Sequence, residues 1–144
     1  MIYIAGSLRN PKVIDLTLRL RDRGFHVFSE WMAAGKQADE EWEAYFKALG
    51  YSYRDALKSD FVQTAFNFDK DHIDKAHTFI AIAPFGKSAG IELGYAVKGG
   101  KRSYVLLEEE PARYDLMLAF ATDICYDIEE LVDRLRRDEM VRRA

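Results

Sequence analysis

The stretch PFGKSAGIELGYA, residues 84–96, decides the fold, because it joins a strand pattern to a helix pattern through a loop that contains glycine. The run before it, residues 78–83, is typical of a buried strand, and the apolar spacing from Ile91 onward predicts a packed helix. In an open α/β sheet, ligands bind where such a strand ends and the helix begins. Because glycine lets the backbone turn sharply and approach a ligand closely, we expect Gly86 and Ser88 to border a ligand.

Glu92 is the candidate reactive group of this stretch. The pattern places it in the first turn of the helix, where free backbone N–H groups and a partial positive charge favour an ionised carboxylate. An ionised carboxylate aimed across the crevice is suited to nucleophilic attack. We therefore predict that Glu92 is a nucleophile.

Strand and helix patterns alternate along the chain. Strands are predicted at 2–5, 25–28, 78–83, 102–107 and 123–126, and helices at 11–24, 38–50, from 52 onward, 61–76, 91–99, 114–121 and from 128 into the charged tail. This alternation predicts one α/β domain over residues 1–144, with a flavodoxin-like, doubly wound, five-stranded parallel sheet in the order 2-1-3-4-5. The crevice then lies between strands 1 and 3, which brings residues 6–9 beside residues 86–92.

The composition argues against several classes of protein. The formal net charge of −3 does not suggest a nucleic-acid-binding protein, and no apolar run reaches the length of a membrane span. The single cysteine, Cys125, allows no disulfide framework and is expected in the core. No third ligand accompanies His72 and His77, so we expect no metal and no cofactor. The opening residues lack a signal-peptide pattern, so a cytoplasmic location is expected.

The turn after the first strand contains candidate ligands for an anion. The hydroxyl of Ser7 and the backbone N–H groups from Gly6 onward precede a helix, where they can hold an anion or a sugar hydroxyl. Arg9 can pair with a phosphate or a carboxylate. The alternative is a helix cap followed by a surface arginine.

Four further candidates lie near the predicted crevice. Asp69 precedes the third strand, where its carboxylate can orient Glu92 or a substrate hydroxyl, unless it belongs to a solvated helix face. Trp31 and Tyr3 can stack on a flat heterocycle or belong to the core. Asp115 starts the helix after the fourth strand, where an N-cap is the simpler interpretation.

Four segments, in this order, resemble the nucleoside 2-deoxyribosyltransferase family, which includes the deoxynucleoside 5′-monophosphate N-glycosidases. They are MIYIAGS at 1–7, Asp69 with IDKA at 73–76, SAGIELGYA at 88–96 and the segment beginning DLM at 115–117. The resemblance covers most of the chain and is weakest over residues 30–68. It implies one domain of this family over residues 1–144 and a homo-oligomer with shared active sites. A nucleoside or nucleotide and a free nucleobase are the implied binding partners.

The resemblance also implies a reaction, the cleavage of the N-glycosidic bond of a 2′-deoxynucleoside. Glu92 would attack C1′ and displace the base, and a second base or water would then release the sugar from the enzyme. Asp69 matches a family aspartate of the nucleotide pocket and would help to place Glu92 or the base.

Two residues depart from the family pattern. Some members have an acidic or hydroxyl residue where this chain has Gly86, which leaves no assigned acid to protonate the departing base. Many relatives have Asp where this chain has His77. These departures support an alternative, a catalytically inactive nucleotide-binding module on the same fold. Cleavage of a larger nucleotide such as NAD is a third hypothesis.

Two features predict different chemistry at the 5′ end of the substrate. The turn of residues 6–9 resembles the phosphate-binding turn of the monophosphate N-glycosidases, in which Ser and Arg hold the phosphate. Asp115 stands where the transferases have Asn and the monophosphate enzymes have Ser, contributed by a neighbouring subunit. A carboxylate repels a phosphate but accepts a hydrogen bond from a 5′-hydroxyl. We therefore favour the nucleoside, with a deoxynucleoside 5′-monophosphate N-glycosidase as the alternative.

Overall fold

Five strands alternate with helices in the computed structural model, which describes residues 1–144. The strands are β1 Ile2–Ala5, β2 Val27–Phe28, β3 Thr78–Ile82, β4 Arg102–Leu106 and β5 Asp123–Cys125. The α-helices are α1 Lys12–Asp22, α2 Ala38–Ala48, α3 Tyr53–Leu57, α4 Asp60–Lys75, α5 Lys87–Lys98 and α6 Ile128–Arg143. Two 3₁₀ helices lie at Glu30–Ala34 and Leu116–Phe120. No helix is both long and apolar enough to cross a membrane.

The strands form one parallel sheet in the order β2-β1-β3-β4-β5. Ile4 of β1 lies opposite Ile80 of β3, which lies opposite Tyr104 of β4. The predicted flavodoxin-like, doubly wound α/β sheet is therefore confirmed. The order of the strands reverses between β1 and β3, and such a reversal opens a crevice at the carboxyl ends of the two strands.

Helices cover both faces of the sheet, because successive residues of a strand point to opposite sides. One core layer lies under α1 and α6 and contains Ile4, Ile80 and Tyr104. The other lies under α4 and α5 and contains Tyr3 and Phe79. Burial of each large apolar side chain contributes roughly 1.5–3 kcal/mol relative to exposure. The alternation therefore fixes the side chain of Tyr3 on the α4–α5 face.

Two predicted elements differ in extent or type. The strand predicted at 25–28 is limited to β2, because the backbone N–H of Phe25 donates to the carbonyl of Leu20 and so completes the end of α1. The helix predicted at 114–121 is the shorter 3₁₀ helix Leu116–Phe120, whose apolar side chains are largely exposed and do not form a packed stripe.

The helix of the deciding stretch is also longer than predicted. α5 begins at Lys87, immediately after Gly86, rather than near Ile91. Ala89, Leu93 and Ala96 form its buried side, whereas Ile91 is 71% exposed and is not packed as predicted. Cys125, at the end of β5, is buried as predicted.

Candidate active site

A cavity of about 290 Å³ lies at the carboxyl ends of β1 and β3, where the strand order reverses. Its volume is near the lower end of the range for small-molecule sites, roughly 300–1,000 Å³. Nine of the ten predicted site residues line it: Tyr3, Gly6, Ser7, Arg9, Trp31, Asp69, Gly86, Ser88 and Glu92. The fold thus brings together residues that are far apart in the sequence.

Glu92 lies in the second turn of α5, not in the first as predicted. Its Oε2 accepts a hydrogen bond from the hydroxyl of Tyr3 at 2.8 Å. Burial raises the pKa of Glu92 to about 7; the bond from Tyr3 lowers this pKa, and the charge of Asp69 raises it. Glu92 thus lies beyond the first turn, where the effect of a helix N-terminus is strongest. Its protonation is governed by burial and by two neighbouring side chains.

Tyr3 holds Glu92 from the strand side. Its ring is 1% exposed and packs against Phe79, with centroids 5.7 Å apart, and against Phe28, at 5.6 Å. Burial and the charges of Glu92 and Asp69 raise the pKa of Tyr3, so its phenol stays protonated and acts as a donor. Because the ring is covered by phenylalanines, the predicted stacking on a flat ligand is not available, and only the hydroxyl reaches the cavity.

Asp69 approaches the same cavity from α4. Burial raises the pKa of Asp69, and the charge of His72, one helical turn further along, lowers it. His72 stacks on Phe28 with ring centroids 3.8 Å apart, and its Nδ1 lies 2.7 Å from the carbonyl oxygen of Phe68. Two carboxyl groups, Asp69 and Glu92, therefore face one partly buried space, and the charge of Asp69 raises the pKa of Glu92.

The turn after β1 is compact and is tied to the glycine loop. The Oγ of Ser7 accepts a hydrogen bond from the backbone N–H of Arg9 at 3.1 Å. Asn10 is buried and donates from Nδ2 to the carbonyl of Pro84 at 3.3 Å, which links this turn to the loop before α5. A Cβ added to Gly6 would meet Cγ2 of Val13 at 2.9 Å, so glycine is needed for the close approach of the turn to α1.

Arg9 extends from this turn across the mouth of the cavity, where its guanidinium donates to the carboxylate of Glu40 on α2. The hydrogen bond from Arg9 contributes to lowering the pKa of Glu40, after a backbone hydrogen bond at Glu40 itself. The anion-binding group predicted from the sequence is thus already paired with an anionic side chain of the same molecule.

Trp31 separates the cavity from a larger one beside it. Its Nε1 donates to the carbonyl of Ile4 at 2.7 Å, which fixes the indole beside the end of β1. The adjoining cavity, about 690 Å³, is lined mostly by hydrophobic side chains, including Trp31, Trp42 and Phe61. The predicted role of Trp31 as a stacking surface remains compatible with this position.

Gly86 and Ser88 line the cavity where the loop after β3 meets the first turn of α5. Gly86 is the N-cap of α5, and no atom lies within 4 Å of a Cβ added to it. The loop therefore has only backbone and open space at Gly86, and this position has no side chain that could protonate a departing base.

Two singled-out residues lie elsewhere. Asp115 caps its own 3₁₀ helix, with its carboxylate accepting from the N–H of Met117 at 2.9 Å, and it does not line the cavity of this chain. His77 precedes β3, at the opposite end of this strand from the cavity, and its Nδ1 lies 2.7 Å from the hydroxyl of Thr78. Burial and nearby positive charges lower the pKa of His77 to about 4, so it is neutral near pH 7.

Four charged residues of the cavity did not emerge from the sequence as candidates: Lys36, Asp39, Glu40 and Lys87. Three of them come from the irregular region between residues 30 and 68, where the family resemblance is weakest. The fourth, Lys87, lies in the stretch of residues 84–96. Its position between Gly86 and Ser88, which were both predicted to border a ligand, could have identified it as a cavity residue.

No protein-family model and no curated protein matches the chain. A 2-deoxyribosyltransferase from Bacillus psychrosaccharolyticus has a similar structure, with a TM-score of 0.60 at 20% identity over 90% of this chain and 88% of that chain. A CMP N-glycosidase from Clostridium botulinum has a TM-score of 0.52 at 20% identity over 94% and 97%. At this identity the likeness shows a shared fold. The first is a kind of enzyme that the sequence resemblance names, and the second is an N-glycosidase of a ribonucleotide, CMP.

Proposed function

We propose that this chain is a nucleoside 2-deoxyribosyltransferase-like enzyme, working as one domain over residues 1–144. It cleaves the N-glycosidic bond of a 2′-deoxynucleoside through a covalent deoxyribosyl intermediate on Glu92 and passes the sugar to another nucleobase or to water. The observation that carries the proposal is the hydrogen-bonded, largely buried pair of Glu92 and Tyr3 that faces the cavity. The names of the two enzymes of the same fold, a 2-deoxyribosyltransferase and a CMP N-glycosidase, support the cleavage of an N-glycosidic bond in general.

The first step is an attack by the ionised carboxylate of Glu92. A lone pair of its oxygen forms a bond to C1′ while the bond from C1′ to the base nitrogen breaks, and that electron pair stays on the base. Tyr3 fixes the carboxylate through its hydrogen bond. Because positive charge develops on the sugar in the transition state, the carboxylate also stabilises it electrostatically.

Asp69 is proposed to help place Glu92 or the base. The charge of Asp69 raises the pKa of Glu92, so Asp69 is already ionised when Glu92 loses its proton. Asp69 is therefore suited to accept a proton rather than to donate one, and the departing base takes its proton from water.

In the second step, a nitrogen of a free base or the oxygen of water attacks C1′ from the vacated side. The ester bond to Glu92 breaks, its electrons return to the carboxylate, and the proton of the attacking group passes to Asp69. The adjoining cavity of about 690 Å³, with Trp31 on its boundary, offers apolar and aromatic surface for a base. This space supports transfer to a base alongside hydrolysis.

Two alternatives have support from particular residues. Ser7 and Arg9 at the cavity mouth favour a deoxynucleoside 5′-monophosphate N-glycosidase. The likeness to the CMP enzyme supports a 5′-monophosphate substrate. The open space at Gly86 favours an inactive nucleotide-binding module on the same fold. His77 no longer supports this second alternative, because it lies at the far end of β3.

We also propose that the protein forms a homo-oligomer with shared active sites. Large apolar side chains are exposed on α4 and α5 and on the 3₁₀ helix Leu116–Phe120, whose Leu118 packs against the same core layer: Phe66, Ile91, Tyr95, Leu116, Met117 and Phe120. Phe66, Ile91 and Tyr95 border a further cavity that also reaches Ser88 and Glu92. A second copy seated on this face would cover these side chains and could bring its Asp115 towards the site.

The test is a product assay. The protein is incubated with each deoxynucleoside and each 5′-monophosphate, with and without a second free base, and the products are separated by chromatography. New nucleoside identifies a transferase, and base with free sugar identifies a hydrolase. Glu92→Gln should reduce turnover roughly 10³-fold or more, whereas Glu43→Gln, on the outer side of α2, should not. Undiminished turnover by Glu92→Gln would contradict the nucleophile assignment.

A further inference from the structure

Glu40 lies where a ligand's anionic group would meet Arg9. The two side chains form an ion pair across the cavity mouth, and both line the cavity. Arg9 has no other side-chain partner, so its guanidinium is committed to Glu40 until a competing anion arrives. A phosphate bound at this turn would have to displace Glu40 or share the guanidinium with it.

The charged side chains of the cavity leave no excess of cations for a phosphate. Three cationic side chains line it, namely Arg9, Lys36 and Lys87, and four carboxyl side chains face them, namely Asp39, Glu40, Asp69 and Glu92. Within this small volume a phosphate dianion meets four carboxyl groups, two lysines and one arginine that is already paired with Glu40. Like charges at such distances are unfavourable, whereas an uncharged 5′-hydroxyl avoids this repulsion.

We propose that Glu40 is a specificity-determining residue: it occupies the guanidinium of Arg9 and directs the site towards 2′-deoxynucleosides that have a free 5′-hydroxyl, against their 5′-monophosphates. This inference rests on the proposed function. The preference between nucleoside and monophosphate then comes from Glu40 on α2 and not from Asp115, which caps its own 3₁₀ helix.

The expected size of the change in substrate preference follows from the solvent exposure of the Arg9–Glu40 ion pair. The side chains of Arg9 and Glu40 are 59% and 54% exposed, and exposed ion pairs are weakened by solvent and salt. We therefore expect a change of about 3- to 10-fold in substrate preference rather than an absolute switch. α2 buries only one side chain, Phe46, so a change at Glu40 should leave the fold intact.

The experiment compares the native protein with Glu40→Gln and with the matched control Glu43→Gln. Glu43 lies on the same helix and pairs with Lys47, outside the cavity. The kcat/KM for a 5′-monophosphate is divided by that for the corresponding nucleoside, at about 10 mM ionic strength, where the Debye length is about 30 Å. Glu40→Gln should raise this ratio about 3- to 10-fold, and Glu43→Gln should not. An unchanged ratio in Glu40→Gln, or an equal rise in the control, would overturn the inference.

A titration with inorganic phosphate, followed by NMR, separates this inference from the proposed function. Phosphate binding should be about 3-fold tighter in Glu40→Gln than in the native protein, and this gain should disappear when Arg9→Gln is added. If no nucleoside or monophosphate is turned over, the proposed function fails, and the phosphate titration alone decides whether Glu40 blocks Arg9. Equal phosphate affinity in both proteins would then overturn the inference.

Discussion

At the scale of single residues, the carboxyl group of Glu92 touches the phenol of Tyr3 at 2.8 Å, and burial raises its pKa to about 7. A nucleophile must be ionised, while a buried carboxyl tends to keep its proton. The hydrogen bond from Tyr3 acts against burial, because it stabilises the charged form. Tyr3 therefore adjusts the pH at which the proposed nucleophile becomes available.

This balance predicts the pH dependence of Tyr3→Phe. In the native protein, kcat/KM should rise with pH through about 7, as Glu92 loses its proton. Loss of the donor should move the midpoint to higher pH and lower the activity at pH 7 roughly 3- to 10-fold. Tyr104→Phe is the control, because Tyr104 donates to Asp138 on the other face of the sheet. A midpoint that stays in place, or moves to lower pH, would refute the role of Tyr3.

The raised pKa of Glu92 also predicts that Glu92→Gln increases the free energy of unfolding. Its pKa of about 7 in the folded protein lies above the ordinary value of 4.5, so the folded state binds more protons between these two pH values. Stability contributed by the protonated form is present below pH 4.5 and is lost as the pH rises through 7. Glu92→Gln should therefore be about 1–3 kcal/mol more stable than the native protein at pH 8, with a smaller difference at pH 4.5.

Urea unfolding at the two pH values measures this effect. Glu109→Gln, in the exposed loop after β4, serves as the control and should show no such difference. A Glu92→Gln protein that is less stable than the native one at pH 8 would show that burial of this carboxyl carries no penalty.

At the scale of elements, the turn between β1 and α1 places Ser7 and Arg9 through a close contact at Gly6. Gly6→Ala would push a methyl group into Cγ2 of Val13, a core side chain with little room to move. We expect a loss of about 1–3 kcal/mol in the free energy of unfolding, together with weaker substrate binding. In Gly86→Ala the added methyl meets no atom within 4 Å, so its stability should stay within about 0.5 kcal/mol. Thermal unfolding of the two variants makes the comparison, and equal stability would contradict the packing argument.

The sheet was predictable because its strands are short apolar runs separated by helix patterns, and parallel pairing then restricts the topology. The positions of Ser7, Asp69 and Glu92 around one crevice followed from that topology. The protonation of Glu92 did not, because it depends on burial and on Tyr3, a residue 89 positions away. Glu40 was also missed, since its contact with Arg9 depends on how α2 lies across the mouth of the cavity.

At the scale of the whole molecule, the α4–α5 side exposes several large apolar side chains, and one of its cavities reaches Glu92. A partner copy on this side would explain why Ile91 and Tyr95 are exposed in a single chain. We therefore predict a dimer or higher oligomer by light scattering. Ile91→Asp should shift the mass towards one chain, because a carboxylate would be buried in the contact.

Ile14→Asp is the matched control for this prediction. Ile14 is also an exposed isoleucine, but it lies on α1, which covers the opposite face of the sheet. A native protein that scatters light as a single chain would contradict the proposed oligomer. Equal dissociation by the two variants would place the contact elsewhere.

Because Trp31 lies between two cavities, its intrinsic fluorescence can report ligand binding. The chain has two tryptophans, and Trp31 and Trp42 both border the adjoining cavity, whereas only Trp31 also borders the candidate site. The bond from Trp31 to Ile4 fixes the indole nitrogen, so a change of its fluorescence emission reports a change in what covers its ring. In a Trp42→Phe background, that emission follows the arrival of a base without a label, a coupled assay or turnover.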